Sequence, residues 1–112
     1  MSSEIPPLAN RRPLPRKRSF LGCMIVYGDG AYSVPCTIRD ISPSGAHITY
    51  ETGSNLPARF WLINLRDRTV HKSRMAWSTA TEAGVEFESG MPLHQLPPEL
   101  AYLKRSALRG NF

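Results

Sequence analysis

The sequence predicts a small, mostly β domain, a barrel or a sandwich of six short strands followed by one C-terminal helix. Three observations lead there. Residues 20–89 divide into six runs rich in β-branched and aromatic side chains. Gly, Pro and Asn separate these runs at close intervals. Helical periodicity appears only at 95–109, where Leu96, Leu100, Leu103 and Ala107 recur three or four residues apart.

The first two runs, FLGCMIVY (20–27) and AYSVPCTIRDI (31–41), flank GDG and read as a long hairpin turning at Asp29-Gly30. Pro35 lacks an N–H, so its strand is expected to be an edge or bulged there. AHITY (46–50) is a third, shorter strand after the loop SPSG. ARFWLINL (58–65) and TVHKSRMAWST (69–79) form a second hairpin across RDR, and GVEFES (84–89) is the sixth strand. In QLPPELAYLKRSALR, Pro97 and Pro98 suit a first helical turn, with Glu99 near the positive end and Arg105 and Arg109 near the negative one. Its apolar stripe is expected to cap the chain's own β core, the alternative being a partner.

With 112 residues, 41% of them hydrophobic, the chain suffices for a single core burying roughly 65% of its unfolded surface. No run approaches the ~18 apolar residues of a membrane-spanning helix, so no membrane insertion is expected. The basic residues of the N-terminus come late, with no apolar run before them, which argues against a secretory signal and for a cytoplasmic protein. The net charge of +5 is concentrated. Arg11, Arg12, Arg16, Lys17 and Arg18 face Glu4 alone within residues 1–18, leaving the other 94 residues at +1. Four prolines in the same segment favour a flexible, extended leader. The domain division is therefore 1–18, a flexible basic segment, and 19–112, the β domain with its helix.

Cys23 and Cys36 lie equally far from the Asp29-Gly30 turn, so the hairpin register sets them opposite each other. For a reducing cytoplasm the expectation is two small reduced side chains in the β core rather than a bridge. Neither cysteine shares a ligand spacing with His47, His71 or His94, so no metal and no cofactor are expected. Nor is there a nucleophile elbow or a phosphate-binding glycine loop, which points away from an enzyme.

Two clusters carry recognisable chemistry. In Arg12-Pro13-Leu14-Pro15-Arg16, preceded by Arg11, extended backbone sets Arg12 and Arg16 roughly 12 Å apart along the chain and on different sides of the segment, a span that suits gripping a nucleotide-sized ligand from two directions. Each offers a planar fork of donors for phosphate oxygens or a guanine edge. In Asp40-Ile41-Ser42-Pro43-Ser44-Gly45, alternation sends Asp40 and Ser42 to one side. A carboxylate there can accept from guanine's ring N–H and amine, while Gly45 supplies a turn or a close backbone approach. The same hexapeptide also reads as an ordinary Ser-rich turn. Trp77, ahead of Gly84-Val85-Glu86-Phe87, reads as a core aromatic.

Taken together, RxxxR, then a hairpin, DxSxxG and W-x6-GVEF resemble the PilZ domain over residues 11–88. That resemblance implies a six-stranded antiparallel β-barrel with a C-terminal α-helix, and a non-enzymatic receptor for the second messenger cyclic di-GMP. It implies ligand-binding roles for Arg12, Arg16, Asp40, Ser42 and Gly45. Arg11 implies an intercalated pair of ligand molecules, as arginines ahead of RxxxR do in the family. With no output domain in the sequence, an unidentified target protein is the expected second partner, in a process such as motility or biofilm control. Two other readings stand beside this one: a ligand-independent PilZ-like adaptor, and a single-stranded nucleic-acid binder. The latter is disfavoured because Phe60, Trp61 and Trp77 do not form an interleaved stacking surface.

Overall fold

The computed structural model describes residues 17–109, with side chains described from Leu21 to Leu108. Its six strands are β1 (Lys17–Tyr27), β2 (Tyr32–Ser42), β3 (Gly45–Thr49), β4 (Arg59–Asn64), β5 (Thr69–Ser78) and β6 (Glu82–Pro92). All pairings are antiparallel, and the order β1-β2-β3-β6-β5-β4 closes into a barrel through β1 and β4. Of the two architectures open from composition, the barrel is the one formed. The strand edges begin earlier than alternation suggests: β1 takes in Lys17 and Arg18, and β6 starts at Glu82.

Local chemistry explains the turns. Asp29 and Gly30 both have positive φ, 55° and 93°, and the Ala31 N–H donates to the Gly28 carbonyl, so the Asp-Gly pair forms the mirror-image turn that matches strand twist. Tyr27 then pairs with Tyr32, and the register runs down to Cys23 opposite Cys36. Between β4 and β5 the buried Asn64 carbonyl oxygen accepts from the Arg66 and Asp67 N–H groups, building the turn from the side chain of the last strand residue. Pro35 pairs with Met24 on one side only, because β3 joins β2 from Thr37 onward, and so the proline sits on an open edge as expected.

The barrel sorts its apolar residues into two layers. Inside lie Ile25, Ile38, Ile48, Leu62, Ala83 and Val85, with Cys23 and Cys36 among them. Outside, Met24, Val26, Ile63 and Val70 are covered by Leu93, Leu103 and Ala107, so the C-terminal segment does cap its own barrel. Its helix is shorter than its periodicity suggested. Pro98–Leu100 form a tight 3₁₀ turn, and α1 spans only Tyr102–Arg109. Pro97 and Pro98 together remove two consecutive N–H donors and fix their own φ, which delays the α-helical hydrogen bonds until after them.

The expectation of two reduced thiols is corrected here: Cys23 and Cys36 are bonded as a disulfide, with Cα atoms 5.0 Å apart. The register had already placed them opposite each other, and inward-facing neighbours at that separation lie within the span a disulfide bridges.

Near one end of the interior, His71 stacks on Phe87 with ring centroids 4.0 Å apart. His71 shares the inward face with its neighbour Leu62, and burial lowers its pKa from the ordinary 6.5, with Asp67 opposing weakly. Fewer protons are then bound by the folded than by the unfolded chain below that value. Stability is accordingly complete above about pH 6.5 and drains as pH falls through the interval beneath it. His71→Phe, which keeps a ring on Phe87, should flatten this acid limb in urea titrations between about pH 7 and pH 5, and an unchanged slope would refute the assignment.

Leu103, fully buried beneath α1, should cost about 2–5 kcal/mol when cut to alanine, against under about 0.5 kcal/mol for the exposed Leu108. Equal urea midpoints for the two variants would mean that α1 does not contribute to the core.

Candidate functional site

Strand alternation carried from the core would hide the residues of interest. Cys36 and Ile38 of β2 point inward, so a regular strand would turn Asp40 inward as well. The register slips instead between Ile38 and Asp40 against β3, and near the same point against β1. Arg39 is the extra residue of a β-bulge. Parity reverses there: Ile41 packs against the interior cluster and Asp40 comes out.

The same device operates in β5. Ser73 and Met75 are turned inward, and the register slips between Met75 and Trp77, with Ala76 as the extra residue. Trp77 is thereby turned out and is 48% exposed. The expectation of a core aromatic is wrong for this reason.

These two reversals place four residues in one lateral row on the outer surface. Asp40 pairs with His47, His47 with Gly84, and Gly84 with Trp77, crossing β2, β3, β6 and β5. Arg18 of β1 continues the row beyond Asp40, so the chain enters the barrel beside the carboxylate. The Trp77 ring lies across Gly84, where an added Cβ would come within 2.1 Å of the indole nitrogen. Its centroid is 5.7 Å from that of His47. A cleft of about 360 Å³ opens over the His47–Gly84–Trp77 part of this row, lined by Ser44, Gly45, His47, Trp77, Gly84 and Glu86 among others. That volume falls in the usual range of small-ligand clefts, roughly 300–1,000 Å³.

The polar groups of the row are linked. His47 Nε2 lies 2.7 Å from Glu82 Oε1, and His47 Nδ1 lies 3.6 Å from Asp40 Oδ2. Tyr50 donates to the Glu82 carbonyl at 2.9 Å, and its pKa is raised by burial and secondarily by the Glu82 charge. At the other edge of the cleft Glu86 is paired with Arg74 across the strands, which raises the Arg74 pKa through that hydrogen bond.

Of the residues singled out from sequence, Asp40, Ser42 and Gly45 are close neighbours, while Arg11, Arg12 and Arg16 lie outside the described residues. Ser42 accepts from the Ser44 N–H at 3.3 Å and approaches the Ser44 hydroxyl, which is the Ser-rich turn reading. Gly45 is needed for close approach and not for an unusual φ. A Cβ there would stand 2.2 Å from the Val85 carbonyl oxygen on β6. His47 and Glu82 were missed by sequence reasoning. Their signal was a titratable residue one position into the strand after DxSxxG, which has meaning only once Glu82 is known to lie across from it.

Among the described residues no three His, Cys, Asp or Glu side chains form a metal-holding group, and no helix is long and apolar enough to cross a membrane. Compared with known proteins, the chain matches no family model, and no curated sequence matches it significantly.

Gly45→Ala should destabilise the barrel by about 1–3 kcal/mol, because the atom it meets is backbone and cannot swing aside. Gly22→Ala, whose Cβ would meet only Leu65 Cδ1 at 3.8 Å, is the control and should change stability far less. Similar urea midpoints for the two would contradict the close-approach account.

Proposed function

We propose that the chain is a non-enzymatic receptor for cyclic di-GMP, related in design to the PilZ domain, passing the signal to a target protein. One observation carries the reading: Asp40 and an exposed Trp77 share a single outer row, and Arg18 of β1 pairs with Asp40 at its edge.

Each part of that row answers a part of the ligand. The Asp40 carboxylate accepts from the ring N–H and exocyclic amine of a guanine. The exposed indole face of Trp77 gives a planar base something to stack on, an interaction worth about 1–3 kcal/mol. Arg12 and Arg16, four residues apart and separated from Lys17 of β1 by no more than four intervening residues, supply charge-assisted contacts to the phosphates and guanine faces. Micromolar affinity requires about 8 kcal/mol net. Charge-assisted hydrogen bonds at about 1.5–3 kcal/mol each, with stacking, reach that total after the cost of fixing the segment. Ligand binding then draws residues 11–16 against the row and creates a composite surface for the target. Arg11 would serve a second, intercalated ligand molecule.

Isothermal titration with cyclic di-GMP tests this. Saturable binding at one or two ligands per chain is expected. Arg12→Ala, Arg16→Ala and Asp40→Ala should each weaken it by about tenfold or more, and Arg11→Ala should reduce a stoichiometry of two to one. Unaltered affinity in all three weakening variants would sink the reading, as would the absence of any binding.

A further inference from the structure

The sulfur atoms of the Cys23–Cys36 bond lie inside the barrel, yet the wall around them is not equally closed. Cys23 stands between two ladders, opposite Cys36 on one side and opposite Asn64 of β4 on the other. Cys36 has a ladder on one side alone, because the pairing of β2 with β3 begins at Thr37. β3 ends at Thr49, and the chain beyond it folds into a turn at Glu51–Ser54, with Gly53 at a φ of 97°, instead of continuing along β2. A slot of about 430 Å³ results, lined by Val34, Pro35, Cys36, Thr49, Tyr50 and Ser54 among others. Val34 and Cys36 face the interior while Pro35 between them faces out, so the slot reaches inward-facing side chains through the edge of the wall. Cys36 is accordingly 8% exposed against 2% for Cys23.

We propose that Cys36 is a thiolation site: a small-molecule thiol enters the slot between β2 and the end of β3 and exchanges with the Cys23–Cys36 disulfide at Cys36 while the barrel stays folded. Thiol–disulfide exchange is a displacement by a thiolate, which approaches in line with the bond that breaks, from the side opposite the leaving sulfur. For Cys36 that side faces away from β1, across the free edge of β2, and the slot lies there. For Cys23 it faces β4, where the ladder from Cys23 to Val26 closes the wall.

The incoming thiol gives its proton to solvent, and its sulfur bonds to Cys36 Sγ. The Cys23–Cys36 bond breaks, its electron pair leaves on the Cys23 sulfur, and that sulfur takes a proton back from solvent. One thiol is consumed and one is formed, so no separate oxidant or reductant enters the step. The Cys23 thiol remains among Ile25, Ile38 and Leu62 as a small, weakly polar side chain suited to that interior. The group carried on Cys36 stays in the slot, against a wall fixed by Tyr50, whose hydroxyl donates to the Thr79 and Glu82 carbonyls. The slot shares no lining residue with the cleft beside Trp77, and the inference does not depend on the receptor reading.

The test treats the full, oxidised chain with 2-mercaptoethanol, stops the exchange with acid at early times and labels free thiols with N-ethylmaleimide in denaturant. Peptide mass spectrometry should find mercaptoethanol on Cys36 and maleimide on Cys23. The rate should rise in proportion to thiolate concentration and stay within about twofold between zero and about 1 M urea, because the slot belongs to the folded barrel. Attack that waits for global unfolding would instead accelerate about tenfold per molar urea. That acceleration, mercaptoethanol on Cys23 as often as on Cys36, or no mixed disulfide on Cys36 at any time overturns the inference. Every readout is taken on the wild-type chain, so the decision does not depend on a variant that folds.

Discussion

The outer surface of this barrel depends on two extra residues. A β-strand alternates its side chains with a period of two, and the inward set of β2 includes Cys36 and Ile38, that of β5 Ser73 and Met75. Continued regularly, both strands would carry their next residues of interest into the core. For Asp40 that means burying a carboxylate in an apolar interior, which costs several kcal/mol unless it is neutralised or paired. The bulges at Arg39 and Ala76 reverse parity within one residue each. Everything proposed for the site, from the reach of the carboxylate to the exposure of the indole, follows from these reversals.

Close approach then sharpens what parity arranges. Gly45 lets β3 run tight against the Val85 carbonyl, and Gly84 leaves a trough into which the Trp77 ring sinks. Larger residues at either position would lift a strand or the ring away from its neighbours. The two glycines thus tie β3, β6 and β5 into one surface on which His47 is sandwiched between Asp40 and Glu82. None of this requires a loop. Apart from the turn at 42–45, the row stands on paired strands, so its geometry is set by the same hydrogen bonds that close the barrel.

Much of the scaffold was legible in the sequence because it rests on short-range chemistry. Asp29-Gly30 prescribes its own turn, the turn prescribes the register that sets Cys23 against Cys36, and Leu100, Leu103 and Ala107 disclose the face that caps the barrel. Asp40, Ser42 and Gly45 were found from their spacing, and their adjacency is a local property of one hairpin. What stayed hidden is non-local. Trp77 was read as a core residue because a bulge leaves no mark in composition, only in the register with Val85 and Gly84. His47 became meaningful only beside Glu82, thirty-five residues away. The disulfide was misjudged from compartment, a cellular consideration, where strand geometry alone had already put the sulfur-bearing residues face to face.

The filled interior constrains what any ligand can do here. Small barrels pack their lumen with side chains, and this one holds Ile25, Ile38, Ile48, Leu62, Phe60 and the Cys23–Cys36 bridge, with His71 and Phe87 near one end. A ligand of nucleotide size must therefore bind on the outside. The outer row offers one carboxylate, one imidazole and one indole on a shallow face, which contacts a ligand from a single side. Micromolar binding from one side of a shallow cleft is difficult, since most of the ligand surface stays in water. A second wall is needed, and the proposed receptor would draw it from the segment ahead of Lys17, which carries Arg11, Arg12 and Arg16. In the proposed receptor the barrel would supply the specific edge contacts and the stacking face, and the leading segment would supply the charge. Neither half is complete without the other, which is what would let ligand binding be read out as a change in shape.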